Sequence, residues 1–306
     1  MQLQTLPCPL CGSDDSLVIF RSRDFRFYTD ATVFNVVRCK GCGFAFLNPR
    51  PDKKGIAKFY PPQFHQTDRS FFYKLLSPCF RLAQRSIIKV FIKYKKEGRA
   101  LDIGCGNGEF ILALRRHGFD AWGIETNIGA EKFTDRSLAG RILYKDIKEC
   151  GFPEKSYDII TLFQSLEHIY DLGELLGEIN RILKDDGLLY ICVPDSDFFE
   201  ARLFGPYYYN LEVPRHLYFF SKNSLAALLS KHGFKVKRLF KESLCEMVST
   251  PASFHHGIWN FLSDKDIGKG RAAESLTYLP LVIIRLFLRL VFCLQGQNLK
   301  ALCLKA

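Results

Sequence analysis

The sequence lacks the features that mark exported or membrane-spanning chains. Its first residues carry neither a basic region nor an apolar core, so we expect no secretory signal. An almost wholly apolar run at 280–294 is shorter than the roughly 20 residues that a bilayer span needs, and it contains Arg285 and Arg289. We therefore expect a cytoplasmic protein in which residues 280–294 pack in the core, cap a hydrophobic substrate groove or lie peripherally on the inner face of the membrane.

Acidic residues are also scarce relative to basic ones. Asp and Glu number 32 against 43 Lys and Arg, which gives a formal net charge of +11. A basic excess suits nucleic acid, an anionic membrane surface or an acidic substrate, and it also occurs in ordinary globular proteins. The charge alone therefore leaves the partner open. The 47% hydrophobic content of the 306 residues is sufficient for a sizeable core.

The cysteines do not suit a disulfide framework, because their number, 11, is odd and four of them form two close pairs. Cys8 with Cys11 and Cys39 with Cys42 each form a Cys-x-x-Cys-Gly pair. Thiolates at this spacing can surround a zinc ion tetrahedrally, and a site filled by four cysteines is closed and therefore structural. A redox dithiol would need a βαβ unit beside one pair, which neither pair has. We predict a four-cysteine, zinc-ribbon-like module over residues 1–51.

The remainder of the chain predicts a helical connector followed by an α/β domain. The connector, residues 52–98, contains a basic amphipathic run that we interpret as one or two helices broken near Pro78. From residue 99 short apolar strands alternate with helices, which predicts a Rossmann-like, doubly wound, mostly parallel sheet over 99–306, with a loop or helix insertion at about 243–295. The predicted strands are 100–103, 121–125, 141–147, 157–163, 188–193, 234–240 and 298–304. The predicted helices are 109–117, 129–138, 172–183 and 221–232.

The turn after the first of these strands is rich in glycine. Gly104, Gly106 and Gly108 lie between strand and helix, where residues without a Cβ let the backbone turn sharply and approach a ligand closely. A nicotinamide dinucleotide fingerprint requires a further glycine at position 109, where the side chain of Glu109 would meet the pyrophosphate instead. The turn therefore predicts a cofactor without phosphates.

Carboxylates end the next two predicted strands. Glu125 lies about 20 residues beyond the glycines, where an acidic side chain accepts hydrogen bonds from ribose hydroxyls. Asp146 and Ile147 close the third strand, where a carboxylate beside an apolar side chain can hold an adenine. Together with the glycine turn, these positions predict a nucleoside cofactor.

The run Leu-Asp-Ile-Gly-Cys-Gly-Asn-Gly at 101–108, followed by Gly-Ile-Glu at 123–125, resembles the class I S-adenosylmethionine methyltransferases. The likeness extends from about residue 99 to residue 240 and resumes weakly at 296–305. The resemblance implies that the glycine turn holds the amino-acid part of S-adenosylmethionine.

The resemblance also implies roles for single side chains. Glu125 is expected to bind the ribose, and Asp146 with Ile147 the adenine. Asp102 and Gln164, at the ends of the first and fourth strands, complete the predicted cofactor site.

The segment after the fourth strand supplies the first candidate base. Leu-Glu-His-Ile at 166–169 resembles the corresponding stretch of small-molecule methyltransferases, including ubiquinone-pathway O-methyltransferases. Histidine titrates near neutrality, so His168 can take a proton from a hydroxyl as that hydroxyl attacks the methyl group. The alternative is that Glu167 and His168 shape the cofactor pocket or cap the next helix.

A Pro-Arg-His-Leu run at 214–217 resembles a segment of one broad bacterial methyltransferase group and suggests a lid over the acceptor. Arg215 can pair with an anionic acceptor, because its guanidinium matches carboxylate and phosphate. His216 is the second candidate catalytic histidine. The alternative for Arg215 is an ion pair with a neighbouring acid in a structural loop.

The leading hypothesis is a methyltransferase acting on a small-molecule, sugar-linked or lipid-linked acceptor, at oxygen in preference to carbon or nitrogen. The sulfonium is already activated, so aligning nucleophile and methyl carbon can supply on the order of 7–11 kcal/mol, and a base is optional.

Two alternatives remain open. An RNA methyltransferase would use the zinc module and the basic surface, although the fourth strand is followed neither by an Asn-Pro-Pro-Tyr run nor by a Pro-Cys nucleophile. A non-catalytic cofactor-binding module would retain the fold without turnover, and the intact glycine turn with Glu125 and Asp146 argues against it.

Overall fold

The computed structural model describes residues 1–61, 71–197, 199–241 and 296–306, which form two compact units. The insertion predicted at about 243–295, with its apolar run, lies outside the described residues. Among the residues inside these ranges, no helix combines the length and the apolarity that crossing a membrane requires. The first unit is drawn from residues 1–61, 194–224 and 241–297, and the second from 62–193, 225–240 and 298–306.

The strands and helices are numbered along the chain. The strands are β1 (Leu3–Gln4), β2 (Ser16–Ser22), β3 (Phe34–Cys39), β4 (Ala45–Leu47), β5 (Arg50–Pro51), β6 (Gly98–Ile103), β7 (Phe119–Ile124), β8 (Ile142–Leu143), β9 (Tyr157–Phe163), β10 (Leu183–Pro194), β11 (Tyr218–Phe219), β12 (Phe234–Lys241) and β13 (Asn298–Lys305). The α-helices are α1 (Phe71–Tyr94), α2 (Glu109–Arg116), α3 (Leu172–Ile182), α4 (Phe199–Phe204) and α5 (Lys222–Lys231).

The second unit is built on a seven-stranded sheet in the order β12-β13-β10-β9-β6-β7-β8. The pairs from β10 to β8 are all parallel. Strand β9 is buried along almost its whole length and β6 from Ala100 to Ile103, as expected for parallel strands covered on both faces. The strand order reverses between β6 and β9, and such a reversal opens a crevice at the carboxyl ends of the strands. The predicted doubly wound, mostly parallel sheet is confirmed.

Helices bury one side each in the core of this unit. Ile111 and Leu114 of α2 and Ile179 of α3 are fully buried. Asp171 caps α3 by accepting a hydrogen bond from the backbone N–H of Glu174 at 2.9 Å. Phe91 of α1 is also fully buried, within the same hydrophobic cluster as α2 and the strands. These contacts fix where the carboxyl ends of the strands lie.

Three local predictions differ from the structure. Helix α1 is continuous through Pro78, although proline lacks a backbone donor, because the following turns of the helix are anchored in the core. The helix predicted at 129–138 is two short 3-10 helices, because Asn127 and Asp135 cap separate turns and Thr134 between them is extended. The strand predicted at 141–147 contributes only the two residues of β8.

The first unit contains a four-stranded sheet in the order β11-β4-β3-β2. Its neighbouring strands are antiparallel, and a separate pair joins β1 to β5. The core of the unit is aromatic, since the ring of Phe44 lies 6.3 Å from that of Phe46 and 5.9 Å from that of Tyr218 between centroids. Strand β11 thus joins a sheet whose other strands come from the N-terminal part of the chain.

Candidate functional site

The glycine turn lies at the carboxyl end of β6, beside the reversal in strand order. Gly104, Gly106 and Gly108 have φ values of +73°, +54° and +82°, in the left-handed region that favours glycine. At Gly104 a Cβ would also stand 2.3 Å from Oγ of Ser165, so this position excludes side chains on two grounds. At Gly106 a Cβ would meet nothing within 4 Å, so the space beside this residue is open.

Glu125 follows β7 and holds the turn in place. Its Oε2 accepts a hydrogen bond from the backbone N–H of Gly106 at 2.9 Å, and its Oε1 accepts one from that of Asn127 at 2.8 Å. Backbone N–H groups of Gly104 and Cys105 donate to the carbonyl of Ile124, at 2.8 and 3.1 Å. The carboxylate predicted to bind ribose is therefore at the glycine turn.

Asp102 is a second carboxyl group near the turn, but it is buried. Its Oδ1 accepts a hydrogen bond from the hydroxyl of Thr161 on β9 at 2.6 Å, which links the two central strands. Burial, with a smaller contribution from the charge of Glu125, raises the pKa of Asp102 to about 7. Burial likewise raises the pKa of the neighbouring thiol of Cys105.

The end of β9 forms the other wall of the turn. Gln164 adopts φ +49°, which is uncommon for a residue with a side chain, and its Nε2 lies 3.7 Å from Sγ of Cys192. Ser165 donates from its hydroxyl to the carbonyl of Phe163 at 2.9 Å. Strain at the end of a parallel strand is typical of ligand-binding edges.

Asp146 and Ile147 begin a short 3-10 helix after β8. Asp146 accepts a hydrogen bond from the backbone N–H of Lys148 at 3.2 Å, and Ile147 is buried. The pair therefore presents a carboxyl group and an apolar side chain at consecutive positions, as the adenine assignment requires.

His168 ends another 3-10 helix, Leu166–His168, directly after the β9 edge. A carboxylate oxygen of the buried Glu167 and a ring nitrogen of His168 lie within 4.8 Å of each other. A carboxylate this close to an imidazole can support the action of the ring as a base.

Arg215 and His216 lie in the first unit. The guanidinium of Arg215, 1% exposed, donates to Oδ1 of Asp24 at 2.8 Å, to Oε2 of Glu212 at 3.2 Å and to the carbonyl of Phe59 at 3.0 Å. Against the opposing effect of burial, Arg215 lowers the pKa of Asp24. These partners all belong to the protein, so the geometry favours the structural alternative for Arg215 over the binding of an acceptor.

His216 is 5% exposed, and its Nδ1 lies 2.9 Å from the carbonyl oxygen of Asn210. A carbonyl only accepts, so Nδ1 of the neutral ring carries the proton and Nε2 carries the lone pair. This tautomer is the one that a base acting through Nε2 requires.

The four paired cysteines form one cluster. Their sulfur atoms all lie within 4.8 Å of one another, with 3.6 Å between Cys8 and Cys42 and 3.5 Å between Cys11 and Cys39. Although burial opposes it, hydrogen bonds from the backbone of Cys42 and from the thiol of Cys11 lower the pKa of Cys39 to about 7. Burial raises the pKa of Cys8 to about 12.

Three functional or structural side chains were missed by the sequence analysis. Ser165 could have been found, because it follows the fourth strand at the edge where the glycine turn lies. Thr161 gives no signal, since a threonine inside an apolar strand is ordinary. Asp24 gives none either, because its partner Arg215 is 191 residues away along the chain.

Comparison with known proteins gives concordant matches. A family model described as a methyltransferase domain matches residues 77–239, slightly more than half of the chain. A ubiquinone biosynthesis O-methyltransferase of Rhodopseudomonas palustris is 27% identical over 183 residues, which cover 58% of this chain and 71% of the relative. A sterol 4-C-methyltransferase of Caenorhabditis elegans is 31% identical over 107 residues, 32% of each chain.

Among solved structures, an S-adenosylmethionine-dependent methyltransferase of Thermotoga maritima is similar in fold. The likeness covers 81% of this chain and 98% of that chain, with a TM-score of 0.51 and 18% sequence identity. At this identity the match concerns the architecture and not the acceptor.

Proposed function

Because the chain belongs to the S-adenosylmethionine-dependent methyltransferases, we propose that it methylates an oxygen of a small-molecule acceptor, including sugar-linked and lipid-linked ones. One observation supports this assignment of the site: Glu125 accepts a hydrogen bond from the backbone N–H of Gly106, so a carboxylate lies beside the open space at the glycine turn. The name of the ubiquinone-pathway relative supports an oxygen acceptor on a lipid-like molecule.

The residues at the turn fit S-adenosylmethionine. The space beside Gly106 admits a ligand against the backbone, and Glu125 can exchange its bonds within the turn for ribose hydroxyls. Asp146 and Ile147 provide the polar and apolar partners of an adenine. Glu109 in the first turn of α2 would repel a pyrophosphate, which disfavours a dinucleotide. The bound cofactor supplies a methyl group activated by its sulfonium.

Two histidines are candidates for accepting the proton of the acceptor hydroxyl. His168 has the carboxylate of Glu167 nearby, and His216 has its Nδ1 fixed by a carbonyl. The carbonyl orients the ring of His216, and the acid near His168 can do the same for that ring; the ordinary pKa of histidine suits a general base at neutral pH. The protein partners of Arg215 support a structural role for this residue.

Isothermal titration with S-adenosylmethionine tests the cofactor assignment. Replacing Glu125 with Ala removes a charged hydrogen-bond acceptor, so binding is expected to weaken by at least about ten-fold. The matched control is Glu154→Ala, which removes an exposed carboxylate elsewhere in the same unit and should leave binding unchanged. Equal affinity of Glu125→Ala and the wild type would remove the assignment.

The four-cysteine cluster fits a structural zinc ion. Zinc bound tetrahedrally at about 2.3 Å holds its sulfurs about 3.8 Å apart, close to the distances between the sulfurs of Cys8 and Cys42 and of Cys11 and Cys39. Gly12 and Gly43, with φ of +79° and +76°, follow the two pairs, and their N–H groups donate to the carbonyls of Cys8 and Cys39. The ion would join the segment before β2, which contains Cys8 and Cys11, to Cys39 at the end of β3 and to Cys42.

Metal analysis of the purified chain tests this site. We expect about one zinc per chain, lost in Cys39→Ser and retained in Cys150→Ser, whose thiol lies outside the cluster. A folded wild-type chain that contains no metal and binds none when zinc is added would contradict the assignment.

A further inference from the structure

Helix α1 has two unlike sides. Ile87, Ile88 and Phe91 face the core of the second unit and are buried. Arg85, Lys89 and Lys93 are exposed, and their spacing of four residues rotates each about 40° from the last, so that they share one side. This exposed side is called the basic face of α1 below.

The basic face carries no compensating acid. Between Arg81 and Lys96 the sequence contains neither Asp nor Glu. Within the part of the chain that the structure describes, Arg85, Lys89 and Lys93 form no ion pair. Lys95 behaves differently, since it pairs with Asp186 and lies 3.9 Å from Asp158. Among the described residues, therefore, acids pair with the neighbouring Lys95 and none pairs with the basic face.

Apolar side chains lie among these cations. Leu82 is 52% exposed and Ile92 36% exposed, and helical rotation places both on the same side as Lys89. Exposed aliphatic groups beside unpaired cations match an anionic lipid surface, where cations meet headgroups and alkyl groups reach the acyl boundary. They contribute little to nucleic acid, because an aliphatic side chain cannot stack on a base as an aromatic ring does.

We propose that the basic face of α1 docks the protein on an anionic lipid bilayer. The cations supply attraction to the headgroups, and Leu82 with Ile92 supplies insertion at the interface. The surface does not depend on methyl transfer, so its test is a binding measurement that the cofactor assignment does not affect.

Flotation of the full chain with vesicles tests the electrostatic part. The wild type is expected to bind vesicles that contain phosphatidylserine as well as phosphatidylcholine, and not to bind vesicles made only of phosphatidylcholine. Each cation near such a surface contributes about five-fold, so Lys89→Gln with Lys93→Gln should weaken binding by about 25-fold. The matched control, Lys235→Gln with Lys237→Gln, makes the same charge change on β12 and should bind as the wild type does.

The apolar part needs its own variant. Leu82→Ser with Ile92→Ser should weaken vesicle binding and leave its salt dependence unchanged, because no charge is altered. Equal binding by the wild type and the Lys89 and Lys93 variant would overturn the proposal. A second result would also overturn it: the chain binds single-stranded RNA through these lysines and does not bind anionic vesicles. The basic face of α1 would then be a nucleic-acid contact.

Discussion

Replacing Arg215 with Met separates the two roles that the sequence left open for this residue. Methionine keeps much of the apolar volume of the side chain and removes the guanidinium. Asp24, which is fully buried, would then lose its ion pair, and Glu212 would lose a donor. If Arg215 instead bound an acceptor, the substitution would affect turnover and leave stability almost unchanged.

The expected loss is large, because the pair is buried on both sides. Breaking a buried ion pair by removing one partner costs about 3–5 kcal/mol, since the remaining charge is left uncompensated. The hydrogen bonds that Thr29 donates to Asp24, at 2.7 and 3.1 Å, remain and place the expectation at the lower end of that range.

The loss should depend on pH with a defined sign. In the wild type Arg215 lowers the pKa of Asp24, so the stability from this group is present above the unfolded value of about 3.9 and is lost below it. Without the guanidinium, burial raises this pKa, and stability falls as pH rises above about 4. The difference between the two proteins should therefore be small near pH 4 and grow towards neutrality, by at most about 1.4 kcal/mol per pH unit.

Urea unfolding followed by circular dichroism between about pH 4.5 and 7.5 measures this difference. Lys58→Gln, which breaks an exposed ion pair with Asp30 in the same unit, serves as the control and should unfold as the wild type does. A variant of Arg215 that is as stable as the wild type at the upper end of this range, or that is equally destabilised at every pH, would refute the structural role.

Three further predictions concern the glycine turn, the buried acid and the metal cluster. Gly106→Ala should destabilise the protein by about 1–2 kcal/mol, because alanine disfavours the left-handed φ. Gly104→Ala has the same cost and adds a clash with Ser165 of about 1–3 kcal/mol. In thermal unfolding, Gly104→Ala should therefore have the lower unfolding temperature of the two variants. Because the pKa of Asp102 is raised to about 7 in the folded protein, the stability that this group contributes is present below the pKa of the unfolded chain, about 4, and is lost as pH rises from about 4 to 7. The free energy of unfolding of Asp102→Asn should therefore rise relative to that of the wild type over this interval, and the difference should stay constant above it. Chelation of zinc should lower the unfolding temperature of the wild type and leave that of Cys39→Ser unchanged; equal responses would show that the cluster holds no structural metal.

The parts of the fold that sequence predicts well are those encoded by neighbouring residues. The glycine turn, the strand before it and the acid at the end of β7 follow from composition and spacing over about 25 residues, and the class I methyltransferase family they indicated is confirmed. Strand β9 and helix α3 were placed almost to the residue because each is a strongly apolar or strongly periodic segment. The spacing of apolar residues was sufficient to predict β9 and α3, because that spacing reflects which side of each element is buried.

Where distant residues decide the outcome, the sequence was uninformative. Strand β11 has two residues and gains its identity from pairing with β4, far earlier in the chain. Pro78 suggested a break in α1 that the core contacts of Phe91 and its neighbours outweigh. Arg215 resembled a residue available to a ligand, because nothing near it in the chain reveals that Asp24 is its partner. Each of these outcomes depends on tertiary pairing that leaves no trace in local spacing.

The two acids at the turn show why a motif alone does not assign roles. Sequence presents Asp102 and Glu125 alike, each at the end of a strand beside the glycines. The fold distinguishes them by burial. Asp102 is buried, accepts a hydrogen bond from Thr161 and has a pKa raised to about 7, whereas Glu125 is partly exposed and accepts hydrogen bonds from two backbone N–H groups. Two charged carboxylates so close would repel each other, and placing one of them in the apolar interior lets it bridge β6 and β9 without a full charge. Glu125 is the carboxyl group that the core does not enclose, and the proposed contact with a ribose therefore falls to it and not to Asp102.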